Sequence, residues 1–309
     1  MRRTSLLALA ALGASALAQD PEPPALRFAW PGQDAVPVRE TCTKGGQEVE
    51  MTYRLRLEPE AGSGGFVVSY EGFEFTSLGG RPAAEPELQL LLPRIAPLFQ
   101  ARPSHRVSAD GRFAGVVDLD RTIESLLETY SGLDDLDQVP EAQLDLIRKA
   151  FARPEVASTL IDPVETSWNV WVGDWIGVRI APGRTSEVEV ERPLPILGPE
   201  ATIILRVEVA CLERLTHRGR DCIRLRSRRE PDPERLAETA KAYALASGRE
   251  IPADALRGLV PVTRAEGIYE VETLRPHEAR SETTGRASPL GGRDGERAEY
   301  VFDWPDLAE

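Results

Sequence analysis

Val49-Glu50-Met51-Thr52-Tyr53-Arg54-Leu55-Arg56-Leu57 decides the fold. Apolar and polar side chains alternate without a break, which is the period of a strand with one face on a core and the other in water. The same period recurs on both sides. Upstream, Leu26-Phe28-Trp30 alternates and Val36-Val38 continues it. Downstream, Gly62-Ser63-Gly64-Gly65 predicts a turn into a strand over Phe66 to Phe75, which Gly79-Gly80 ends. Val107 to Phe113 carries Asp110-Gly111, the pair a tight hairpin turn favours because its central residues need positive φ.

The period changes twice. Leu88, Leu91, Leu92, Ile95, Leu98 and Phe99 recur at helical spacing, with Pro93 and Pro97 predicting a kink or a split. In the middle of the chain Asp120 can cap a helix containing Ile123, Leu126, Leu127 and Tyr130. Pro140 suits the first turn of a second, with Leu144, Ile147 and Phe151 inward. Asp162-Pro163 predicts the start of a third, through Trp168, Trp171 and Trp175 to Gly177. Strands resume at Val188-Val190, run from Thr202 to Leu215, turn at Arg218-Gly219 and return over Cys222 to Arg228. Asp232-Pro233-Glu234 predicts a helix to Gly248. The final strands are expected at Ile268 to Leu274, Ala279 to Arg286 and Glu299 to Trp304.

This order predicts an α+β protein: a curved antiparallel β-sheet, half-barrel-like, with a central helical insert and helices covering one face. The expected regions are a signal peptide over 1–18, an N-terminal β-rich region over 19–118, a helical insert over 119–181 and a C-terminal β-rich region over 182–309. Residues 19–309 form one domain or two duplicated β units, because the element order rhymes between halves although the residues do not align. The element order and the Val107 to Val117 hairpin resemble exported bacterial proteins of unknown function, and more distantly the half-barrels that carry lipoproteins across the periplasm. The resemblance implies a fold and no site residue.

Export is read from the first residues. Arg2-Arg3, an apolar run from Leu6 to Leu12 and small residues at Ala16 and Ala18 have the form of a cleavable signal, with cleavage between Ala18 and Gln19. The run is too short to span a bilayer, and no later stretch is long and apolar enough, so no transmembrane segment is expected in the mature chain. A formal net charge of −13 repels phosphate backbones, which argues against nucleic acid as a partner.

No sequence motif specifies a reaction. There is no HExxH, no Gly-x-Ser-x-Gly and no phosphate-cradling glycine loop, so no catalytic residue, metal ligand or cofactor is assigned. A hydrolase triad assembled only in space stays open. Cys42, Cys211 and Cys222 could form one disulfide of unassigned pairing, although the phases of Cys211 and Cys222 put them on opposite strand faces. Arg218, Arg220, Arg224, Arg226 and Arg228 form a row that Glu187, Glu189 and Glu191 could face across strands. Asp134, Asp135 and Asp137 read as capping and solvated acids. Trp168, Trp171 and Trp175 return to one helical face, as core or as the wall of a groove. Together with Leu91, Leu92 and Phe99 they are the candidate ligand-binding residues. The expected role is non-catalytic binding of an apolar small molecule or a cell-envelope protein; the alternative is a structural component with its apolar surfaces internal.

Overall fold

In the structure, a computed structural model of the 309-residue chain, the quoted stretch lies within strand β2 (Gln47–Pro59). The residues described are 25–32, 35–44, 46–100, 102–131, 141–179, 181–194, 197, 201–248, 252, 256, 260–285 and 295–305. The signal segment, the leader to residue 24, the Asp134 to Asp137 loop and Pro140 lie outside them.

Before β2 comes β1 (Val36–Lys44), and after it β3 (Phe66–Leu78), the two-residue β4 (Arg81–Pro82) and helix α1 (Pro86–Gln100). The hairpin β5 (His105–Val107) and β6 (Phe113–Val116) follows, then α2 (Leu119–Ser131), α3 (Glu141–Phe151) and α4 (Pro154–Trp171). The second half is β7 (Thr185–Pro193), β8 (Thr202–His217), β9 (Arg220–Pro231), α5 (Pro233–Ser247), β10 (Val262–Glu270), β11 (Pro276–Thr284) and β12 (Glu296–Phe302).

The strands make one open, curved, antiparallel sheet in the order β6-β5-β3-β2-β1-β12-β11-β10-β9-β8-β7, with β4 pairing β3 at the side. Each half is a meander, and the halves join where β1 pairs with β12, Val38 opposite Phe302 and Glu40 opposite Tyr300. Both β-rich regions therefore share a sheet. The side chains of Val49, Met51, Tyr53, Leu55 and Leu57 are buried on its concave face together with Val36, Val38, Tyr300 and Phe302.

Helix α4 lies across that face, touching β6, β10 and β11. A smaller apolar cluster, Ile203, Leu205, Leu236, Ala240, Leu256 and Val260, seats α5 on the end of β8. Its start is as expected: the Asp232 carboxylate accepts from the backbone N–H of Glu234 and Arg235, and left-handed Gly248 closes the helix.

Several local expectations are corrected. Leu26 to Trp30 is not a strand. Among the described residues its backbone bonds to neighbours run from Leu26 to Val178, from Gly177 back to Leu26 and from Ala29 to Thr273, because the segment crosses the core instead of flanking a strand edge. Helix α1 passes through Pro93 and Pro97 without splitting. Helix α4 starts at Pro154, not Asp162, and keeps Pro163 inside it. Burial of Val164, Trp168 and Trp171 offsets the lost backbone bond. Trp175 sits beyond the helix in a 3-10 turn (Gly173–Trp175).

The Glu187 row does not face the Arg row, since β8 lies between β7 and β9. Arg224 instead bonds Glu213, while Arg226 and Arg280 converge on Glu266. Cys211 and Cys222 are free thiols on opposite faces of the sheet. Cys42, on β1, lies four strands from β9 and five from β8, beyond disulfide reach.

Candidate binding face

The six residues singled out from the sequence fall on α1, on α4 and on the 3-10 turn that follows α4. Trp168, Trp171 and Trp175 are completely buried. The Trp168 indole N–H donates to the Gly111 carbonyl at 2.8 Å, and the Trp175 N–H to the Val170 carbonyl at 2.9 Å. Trp171 meets Tyr300 and Phe302 edge to face. Gly111 has φ +92, and a Cβ there would lie 2.5 Å from Phe28, so the hairpin tip can meet Trp168 only as glycine. On α1, Leu88 and Leu92 are buried, whereas Leu91 is 42% exposed and Leu90 77%. Phe99 lies in α1, but its side chain is outside the description.

Magnitude separates the two helices. Burying an indole removes about 200 Å² from water, worth about 5 kcal/mol each at ~25 cal/mol/Å². Releasing three would consume the whole stability of an ordinary domain. Helix α4 is thus part of the core, and the face beneath it is filled. Among the described side chains of α1, the buried apolar anchors are Leu88 and Leu92, each smaller than an indole.

Where the chain leaves α1, Arg102 reaches into the concave face. Its two terminal nitrogens donate to the two oxygens of Glu40, each at 2.7 Å, a bidentate pair. Glu40 is buried, and the Arg102 side chain is 21% exposed. Three rings surround the guanidinium carbon: Tyr53 at 5.3 Å, Tyr70 at 5.9 Å and Phe73 at 5.9 Å, all within cation–π range. Burial opposes the Arg102 charge, yet the Glu40 carboxylate holds its pKa well above the ordinary value. Burial, reinforced by Glu40, pushes the Tyr53 phenol well above its own.

The sheet builds this cage through one irregularity. The β2–β3 register shifts between Thr52 and Arg54, opposite Gly72, which has φ +65. The extra residue lets Tyr70 and Phe73, three apart, share a face that regular alternation would deny them. Sequence reading missed the cage. One signal was present: Glu40 falls in the apolar phase of Val36 and Val38.

A second polar group sits on the opposite face, at the ends of β9 to β11. His277 Nε2 is 3.6 Å from Glu270, Glu270 accepts from the Thr273 hydroxyl at 2.6 Å, and Cys222 pairs across from Glu270. The His217 and His277 rings are 4.9 Å apart. This is a thiol, imidazole and carboxylate grouping, but Cys222 is wholly buried, and burial followed by the Glu270 charge pushes the thiol up to about 11. A nucleophilic cysteine needs the reverse. Among the described residues no three His, Cys, Asp or Glu side chains are placed to hold a metal ion.

The fold defines an open antiparallel half-barrel with helices on its concave face. No protein-family model matches the chain, and no curated protein is similar to it. A crystal structure from Bacteroides fragilis NCTC 9343, of a chain with a YmcC-like fold, is 11% identical over 90% of this chain and 97% of that one, with a TM-score of 0.23. At that score the likeness carries no inference here. Among the described residues no helix is long and apolar enough to cross a membrane.

Proposed function

We propose that this is an exported, non-catalytic binding protein that engages an apolar ligand or a cell-envelope partner at the α1 side of the half-barrel, not beneath α4. One observation carries the reading. The face under α4 is sealed by three fully buried indoles, whereas α1 leaves Leu90 and Leu91 in water above a sheet region that contains the Arg102 cage. Exposed adjacent leucines favour an apolar contact. Export is supported by the amino-terminal signal pattern.

The test combines one variant with one measurement. Leu90→Glu/Leu91→Glu should leave the melting temperature within about 2 °C, because both side chains are exposed. Native mass spectrometry of the protein purified from its own host should show an added mass in the parent chain and lose it in the variant. Clean spectra of the parent, with no apolar compound on solvent extraction and no envelope protein crosslinked to α1 in intact cells, would defeat the reading.

A further inference from the structure

The Arg102 cage has the chemistry of a ligand site. It offers three aromatic faces around one cationic group and a carboxylate whose two oxygens accept two parallel N–H bonds. Aromatic faces select for a delocalised or weakly hydrated cation, and the carboxylate fork selects among such cations for the planar guanidinium. The occupant is supplied by the segment immediately after α1, in non-helical backbone, and not by a strand of the sheet that forms the walls. The walls Tyr53, Tyr70, Phe73 and Glu40 belong to β1, β2 and β3, and strand pairing fixes the backbone from which they project.

We infer that the Glu40, Tyr53, Tyr70 and Phe73 cage is a guanidinium-binding site whose resident occupant is Arg102, so that a small ligand bearing a guanidinium group binds by displacing the Arg102 side chain. The inference rests on placing the binding face at α1 and names the chemistry recognised there. Tethering makes Arg102 a strong competitor, since an intramolecular group acts at a high effective concentration. The intact protein therefore binds an added guanidinium more weakly than a protein without Arg102, by the fraction of time the cage stands open.

Methylguanidinium is the probe, with tetramethylammonium at equal ionic strength as the control that carries charge but cannot donate two N–H bonds. In the full chain, the Arg102 Nε–H resonance, assigned by its through-space contacts to the Tyr53 and Phe73 rings, should move saturably to its solvent-exposed position as methylguanidinium is added and stay fixed with tetramethylammonium. Arg102→Ala should melt lower than the parent, recover at least half of the difference in methylguanidinium, and bind it at least about tenfold more tightly than the parent does. The double variant Glu40→Gln/Arg102→Ala should show no recovery. An Arg102 resonance unmoved at any concentration, or moved equally by both cations, overturns the proposal even where Arg102→Ala does not fold. Loss of the added mass in Leu90→Glu/Leu91→Glu is read without the cage, so either idea can fail while the other stands.

Discussion

His105 occupies a place where a phenylalanine would be expected. It is fully buried, stacked on Phe113 at 5.5 Å and edge-on to Trp168 at 5.3 Å, and neither ring nitrogen has a hydrogen-bond partner among the described residues. Burial lowers its pKa from 6.5 to about 3. Between those values the unfolded chain takes up a proton that the folded one refuses. Stability is accordingly complete above about pH 6.5 and falls as the pH drops, by up to about 1.4 kcal/mol per pH unit from this residue. Urea titrations of the parent and of His105→Phe from pH 7 to 4 should diverge with that slope, the parent being the more acid-sensitive; parallel curves would show that His105 titrates normally. Glu40 presents the opposite case, a buried charge that has its partner. Glu40→Gln leaves the Arg102 cation uncompensated and should cost about 3 kcal/mol in denaturant unfolding.

At the scale of elements, glycine phase and tryptophan anchorage decide what each segment does. Gly72 places one extra residue in β3, and its positive φ is what a side chain resists. Gly72→Val should destabilise the protein by about 1–3 kcal/mol. It should also broaden the Arg102 side-chain resonance, whereas Gly80→Ala, at a turn with nothing within 4 Å, should leave that resonance unchanged. In α4, Trp168→Ala removes a fully buried indole and its bond to the Gly111 carbonyl, with an expected loss of about 3–5 kcal/mol. Leu91→Ala in α1 should cost less than about 0.5 kcal/mol. A comparable loss at both positions would erase the distinction between core helix and binding helix.

Across the whole molecule, the seam between β1 and β12 turns two meanders into one sheet. Its centre, where Val38, Phe302, Glu40 and Tyr300 pair, carries the aromatic contacts of Trp171, while β6 and β7 form the two ends. Amide hydrogen exchange should therefore be slowest in β1, β2 and β12 and fastest in β6 and β7, with one cooperative thermal transition. Two separate transitions would mean that the halves fold alone. The alternation of Val49 to Leu57, the Asp232 cap, the Gly248 stop and the turns at Gly62 to Gly65 and Arg218-Gly219 depend on neighbours a few residues away, so the amino-acid order alone determined an antiparallel, half-barrel α+β architecture with a helical middle. Which face Trp168 and Trp171 fill, that α4 runs through Pro163, that β8 separates the acidic row from the arginines, and that Arg102 meets a carboxylate sixty-two positions away are different in kind. Each depends on contacts between segments distant in sequence, whose free energy exists only once the sheet has closed against its helices, and only the tertiary structure decided them.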